Sequence, residues 1–199
     1  VHSQTGRLKL KGEPAREEIE AITSRLMGAE TRSDLGDLIA EELLNYTPYD
    51  LMEIASALKQ EIRNLPPDYR EELSEYTSEQ IFGTYHRILL MKRERKMRYL
   101  QDHLHNKVVF LTYCHTMKEA CLQPNHAGSA HMTPMGRLLY YLLSAFRIFV
   151  LHESVHPVGT PFPGGLRVQE KGGVIYCPVR DRADEVLYAL CRFCPAEQG

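Results

Sequence analysis

Apolar residues recur at helical spacing through residues 15–100, in pieces separated by capping and breaking residues. Pro14 opens a segment that aligns Ile19, Ile22 and Leu26 on one face, and Gly28 closes it. Ser33 or Asp34 is placed to cap the next piece, where Leu35, Leu38, Ile39 and Leu43 fall together. Thr47-Pro48 stops that helix and caps another, YDLMEIASALKQEIRN. Pro66-Pro67 breaks the pattern before a short helical DYREELSEY, after which Ser78 caps a long helix through Ile81, Tyr85 and Ile88. Connections this short suit antiparallel helix packing.

KVVFLTYCHTMKEACL, 107–122, begins β-branched and ends in helix formers, and its length favours helix. PNHAGSAHM, 124–132, reads as a loop. Thr133-Pro134 starts the most apolar segment, which contains LLYYLLSAFRIFVL and runs to about Glu153. Ser144 and Arg147 interrupt this stretch, and it is too short for a hydrocarbon layer of about 30 Å, so a buried helix is expected.

The pattern changes at His156. HPVGTPFPGG carries three prolines and three glycines in ten residues, which excludes regular helix. Leu166 and Val168 alternate before a Lys-Gly-Gly turn, with Val174 and Tyr176 after it, as in a β-hairpin. ADEVLYAL, 183–190, predicts a short helix leading into Cys-Arg-Phe-Cys. The expected organisation is an N-terminal tail over 1–14, a helical domain over 15–155 and a Cys/His-rich segment over 156–199 packed on it.

Composition adds bounds. Apolar residues at 43% and charged residues at 25% are ordinary for a folded domain. With 24 basic and 26 acidic residues, bulk charge gives no drive towards nucleic acid or an anionic membrane. The N-terminal residues contain no apolar core of a signal peptide and start at Val1, which predicts a processed or trimmed terminus. The five cysteines, an odd number gathered towards the C-terminus beside histidines, predict reduced thiols and a cytoplasmic protein.

The cysteines also propose a site. Cys177, Cys191 and Cys194 form C-x13-C-x2-C. A Cys-x2-Cys turn aims two sulfurs at one ion, and thiolates are preferred zinc ligands. His156, at the mouth of the loop that delivers the hairpin, completes a Cys3His set, with His152 as its nearest competitor. Separate buried thiols, an iron–sulfur cluster and a reversible Cys191–Cys194 disulfide are the other readings of these residues.

HESVH, 152–156, matches the letters of the zinc-protease motif H-E-x-x-H. Pro157 disfavours helix at His156, however, and a shell filled by thiolates leaves no water for Glu153 to activate. Glu153 is therefore read as a helix-end carboxylate. Cys114 and Cys121 lie two turns apart, too far for a shared ion, and are read as core. His103 and His105 are read as helix-end partners, and KRERKMR, 92–98, as a solvated face.

HPVGTPFPGG, YCPVRD and ALCRFCPAEQ resemble an archaeal family of unknown function, found chiefly in methanogens. The resemblance is specific over 156–198 and extends more loosely into the helical part. It carries over His156, Gly159, Pro161, Pro163, Gly164, Cys177, Cys191 and Cys194 by direct match. The proline-glycine string is the family's mark, whereas a preceding His-Glu is not, so the resemblance favours His156 over His152 as a ligand. The expectation is a mainly α-helical protein whose C-terminal hairpin and short helix form a Cys/His zinc module. That module would be mainly structural, with a surface for a protein partner; a zinc-dependent hydrolase or a redox protein is the alternative.

Overall fold

A computed structural model of the chain describes Leu8 and residues 12–123, 132–182 and 186–199. It is mainly helical, with small strands at the C-terminal end. The helices are α1 (Gly12–Met27), α2 (Arg32–Leu43), α3 (Pro48–Glu61), α4 (Pro67–Ser78), α5 (Thr84–Arg93), α6 (Lys107–Leu122) and α7 (Pro134–Ala145). The tail expected over 1–14 lies mostly outside the described residues, and its last three residues belong to α1. The loop expected over 124–132 likewise lies outside them up to residue 131.

The core is built around α7 and its continuation. α7 runs directly into a π-helical turn, Phe146–Leu151. Residues Leu138, Leu139, Leu142, Phe146 and Val150 along this rod are fully enclosed. Apolar character all round a helix requires cover on every side, and α1, α2 and α6 supply it. Pro134–Leu151 is apolar and long enough to cross a membrane by length and composition, and 78% of that window is buried inside the protein. Close approach of α2 depends on Gly36: a Cβ there would lie 2.9 Å from Met97 Sδ and 3.5 Å from Phe146 Cε2.

Local chemistry sets the helix starts. Thr31, rather than Ser33 or Asp34, caps α2; its side chain accepts from Asp34 N at 3.0 Å, and the Asp34 carboxylate accepts from Thr31 N at 2.9 Å. These bonds, with that from Glu30 N, hold the Asp34 carboxyl below its ordinary pKa. Thr47 caps α3 with the same reciprocal arrangement through Asp50. The Asp50 carboxylate also accepts from the buried Leu8 N at 3.1 Å, which anchors the chain ahead of α1. Thr133 caps α7 as expected, accepting from Gly136 N at 3.1 Å.

Ser78 does not start a new helix. Its backbone is helical and its side chain caps nothing, and α4 passes through a π turn, Glu79–Gly83, into α5. The polar stretch that suggests a break is therefore a bulge inside one continuous rod. Such bulges re-aim side chains, and this one carries Gln80 into the interior.

The C-terminal strands form two small sheets. β1 (Pro161–Phe162) pairs antiparallel with β2 (Leu166–Arg167) across Pro163-Gly164-Gly165, so part of the turn-rich loop is itself a hairpin. β3 (Gln169–Lys171) and β4 (Val174–Cys177) form the expected hairpin, and its Gly172-Gly173 turn has φ of 61° and 81°. β5 (Glu197–Gln198) joins parallel to β4, with Cys177 opposite Gln198. The short helix expected over 183–190 is not seen: 183–185 lie outside the described residues and 186–190 form turns, with Tyr188 at φ 63°. The segment docks on the helices through Tyr69 Oη donating to Pro161 O, an Arg167–Glu72 ion pair, and Phe193 edge-on to Tyr113.

Two consequences are measurable by equilibrium unfolding and hydrogen exchange. Asp50→Ala strands three donors and costs about 2–3 kcal/mol, more than the cap loss of about 1 kcal/mol in Thr47→Ala; equal losses would mean that the Leu8 contact contributes nothing. Gly159 has φ +90°, and a Cβ there would meet Tyr76 Oη at 2.3 Å. Gly159→Ala therefore destabilises the chain by about 1–3 kcal/mol, with lost amide protection concentrated in residues 157–168.

Candidate functional site

The end of the core rod decides what HESVH becomes. The helix stops at Leu151, and His152 takes a left-handed conformation, φ 57° and ψ 39°. Residues 152–156 are not helical, so the one-turn spacing that would align the two imidazoles does not exist. His152 is exposed, with its ring 6.3 Å from that of His105. Burial, then the Arg32 and His105 charges, lower its pKa against the opposing pull of Asp102. Glu153 is held by two guanidinium groups, Arg87 at 2.8 Å and Arg147 at 3.7 Å.

Arg147 organises this turn. It leaves the π turn on the core rod and donates through Nε to Ser154 O at 2.8 Å, with Nη1 3.4 Å from Thr84 Oγ1. Its own carbonyl accepts from Glu153 N at 2.8 Å. The chain is thus folded back over the arginine, and Ser154 Oγ then donates to His156 O at 2.7 Å. The His156 ring stands edge-on to Phe162 at 5.4 Å. Burial, reinforced by the Arg147 charge, pushes its pKa down to about 4. His156 is consequently a neutral imidazole at physiological pH, the form that ligates metals.

The three C-terminal thiols come from two stretches that β5 draws together. Cys177 ends β4, and its carbonyl accepts from Gly199 N at 3.0 Å. Cys191–Phe193 is a single 3-10 turn closed by Cys194 N donating to Cys191 O at 3.0 Å. Arg180 Nε donates to Ala196 O at 3.0 Å, tying the tail to the turn after β4. Cys177 and Cys194 then pack on one small apolar cluster with Val168 and Ala196.

Electrostatics report the same grouping. Burial, then the neighbouring Cys177 and Cys194, push the Cys191 thiol up to about 11, with Arg180 opposing. Burial and Cys194 likewise raise Cys177, against a Val179 backbone N–H and Arg180. Cys177 and Cys191 are therefore protonated at neutral pH. Cys114 and Cys121 sit apart in the α6 core, where burial lifts both to about 12, so the expectation that they are packing residues holds.

The geometry falls short of a completed metal centre. Among the described residues, no three of His, Cys, Asp or Glu are arranged as ligands of one ion. Cys177, Cys191 and Cys194 share a corner, but the contacts of His156 are to Phe162 and to the field of Arg147. The closed Cys3His tetrahedron expected from spacing is therefore not displayed. Spacing shows which residues can reach a common centre and is silent on the side-chain orientations that close it.

Residues that sequence reasoning passed over lie beside this corner. Tyr140, on α7, feels both Cys191 and Cys194, and burial pushes its hydroxyl up to about 12. The Gln80 amide and Ser144 hydroxyl face it and pull the other way. The available signal was a set of polar residues, Arg137, Tyr140, Tyr141, Ser144 and Arg147, inside an otherwise apolar helix. In a buried helix each must find partners or a function.

Relatives exist across archaeal methanogens. A UPF0305 protein of Methanothermobacter thermautotrophicus is 30% identical over 177 residues, covering 84% of this chain and 96% of the relative. One from Methanopyrus kandleri is 31% identical over 133 residues, covering 67% of this chain and 86% of the relative. One from Methanocaldococcus jannaschii is 25% identical over 163 residues, covering 81% and 92%. No solved structure matches the chain. Residues 31–199 match the model of a family described as an uncharacterized protein conserved in archaea, DUF2115, a match that spans α2 to α7 as well as the Cys/His segment, and the chain belongs to that family.

Proposed function

We propose that this chain is a zinc-binding protein in which Cys177, Cys191 and Cys194, with His156 as the fourth donor, hold one ion that stabilises the C-terminal segment. The ion's role is structural, and the stabilised segment presents a surface to a protein partner. One observation carries this reading: thiols from β4 and from the Cys191–Cys194 turn meet at an apolar cluster whose buried members, among the described residues, are only Val168, Cys177 and Ala196. So small a cluster contributes little burial energy, and a structural ion supplies folding free energy directly. The donor chemistry fits, because three sulfurs and a neutral imidazole form a common structural zinc set.

Hydrolytic use of the same residues lacks support in the geometry. Glu153, the only candidate base in HESVH, is engaged by Arg87 and Arg147. A nucleic-acid role has no basis in a chain with 24 basic and 26 acidic residues.

Elemental analysis of protein purified without added metal tests the proposal. The expected result is one zinc per chain, lost in Cys191→Ser and retained in Cys114→Ala, with no absorption of an iron–sulfur cluster. Metal-free protein whose stability is indifferent to both zinc and chelator would overturn it. The pH dependence has a definite sign. Raised pKa values keep Cys177 and Cys191 protonated at neutral pH, so zinc binding at each of them releases a proton. Affinity therefore rises with pH by up to about tenfold per unit per displaced proton, and zinc is lost on acidification. Chelator competition at two pH values measures that slope.

A further inference from the structure

Helices α3 and α4 rest on the body of the protein by one face each. α3 fully buries only Asp50 and Ile54, and α4 fully buries none of its residues. Short helices draw most of their stability from tertiary packing, and these two have little of it. The inner face of α4 docks through Tyr69 to Pro161 O, Glu72 to Arg167 and Tyr76 against Gly159, three positions on one helical stripe. Between the outer faces of the two helices lies an open groove of about 630 Å³.

The walls of this groove carry opposite charge. Lys59 and Arg63 stand on the α3 side, Glu71 and Glu75 on the α4 side, and all four are exposed. Arg70, also on the α4 side, donates through Nη1 to Arg63 O at 3.0 Å, which holds it at the turn between the helices. Among the described residues none of the four makes an ion pair, so neither wall satisfies the other across the gap.

Charge arranged in this way is self-complementary. A two-fold rotation about an axis along the groove lays the basic wall of one copy over the acidic wall of another, and the reverse at the same time. Levels then match by distance from the α3–α4 turn: Arg63 meets Glu71 and Lys59 meets Glu75, each pair formed twice. Rotation about an axis across the groove would set like charge on like, which is unfavourable. Apolar contact is available from Ile62 in the groove and from Tyr49 and Met52, which continue the same face of α3 and are 79% and 68% exposed.

We infer that the α3–α4 groove is the interface of a homodimer, in which a second copy of the chain is held by reciprocal Lys59–Glu75 and Arg63–Glu71 pairs. Exposed ion pairs contribute little singly. Charge therefore sets the orientation, while apolar residues and the stems of the long side chains supply the affinity, and the dimer is weak and salt-sensitive. The thiol corner plays no part in this inference.

Sedimentation equilibrium of the full-length chain is the test. At about 0.05 M salt a monomer–dimer equilibrium with Kd below about 100 µM is expected. The double variants Lys59→Glu/Arg63→Glu and Glu71→Lys/Glu75→Lys each give both walls the same sign, and each weakens self-association by at least about tenfold. An equimolar mixture of the two restores opposite charge at every pair and regains the wild-type Kd within about threefold. A wild-type chain that stays monomeric assigns the groove to a different partner and overturns the proposal. Variants that dimerise as tightly as wild type, or a mixture that stays monomeric, overturn it as well. Should a variant fail to fold, the wild-type chain decides: its Kd rises at least about fivefold between about 0.05 and 0.5 M salt, and an unchanged Kd overturns the paired interface.

Discussion

Enclosure of one apolar rod, Pro134–Leu151, is the constraint on which the rest of this protein depends. A helix covered on every side can carry polar groups only where the surrounding chain is shaped to receive them. Two arginines show how. Arg137, near the start of the rod, gathers the last carbonyls of α6 at Cys121 and Gln123 together with Met132 O. Helix C-terminal carbonyls are orphaned acceptors that favour positive charge, so this arginine ends α6 and fixes how the chain enters α7. Arg147, at the other end, takes Ser154 O while its own carbonyl receives Glu153 N. The exit from the core is thereby folded back, and the direction in which residues 156–199 leave is set.

The same geometry explains what a one-dimensional pattern can and cannot reveal. Caps such as Thr47 and Thr133, proline at helix starts, and helical spacing are local chemistry, and each is legible because cause and effect lie within four residues. The Gly172-Gly173 hairpin belongs with them, since its turn demands positive φ that glycine permits. Ser78 misleads for the complementary reason. It has the chemistry of a cap, but the packing of α4 and α5 into one rod absorbs the interruption as a π turn. The 186–190 stretch misleads similarly: its helix formers are overruled by the Tyr188 carbonyl reaching Tyr141 on α7, a contact with no trace in local sequence.

For the candidate site, the legible part is the grouping of three thiols, because C-x2-C is local and a hairpin delivers Cys177 to the same end. The fourth position is not local. Whether His152 or His156 turns inward is decided by Arg147, which draws the intervening backbone over itself and leaves His152 outside and the His156 ring against Phe162. A lone arginine in an apolar run is visible in the sequence as an anomaly. What it organises becomes visible only in three dimensions.

Tyr140 lies on α7 between the thiol turn and the Val186–Leu190 turns. Its hydroxyl lies close enough to Cys191 and Cys194 for each to oppose its ionisation, after burial, and its side chain also lines the cavity bounded by Arg137 and Gln80. The π turn in the α4–α5 rod places Gln80 beside it, and the 190–194 stretch leads from the cavity rim to the thiol turn. An ion at the thiol corner would therefore order the strip Val186–Leu190 that walls the cavity, through a chain only a few residues long. Tyr188, Leu190, Phe193 and Cys194 pack into the same core cluster as α7, so this part of the C-terminal segment is continuous with the helical core rather than appended to it.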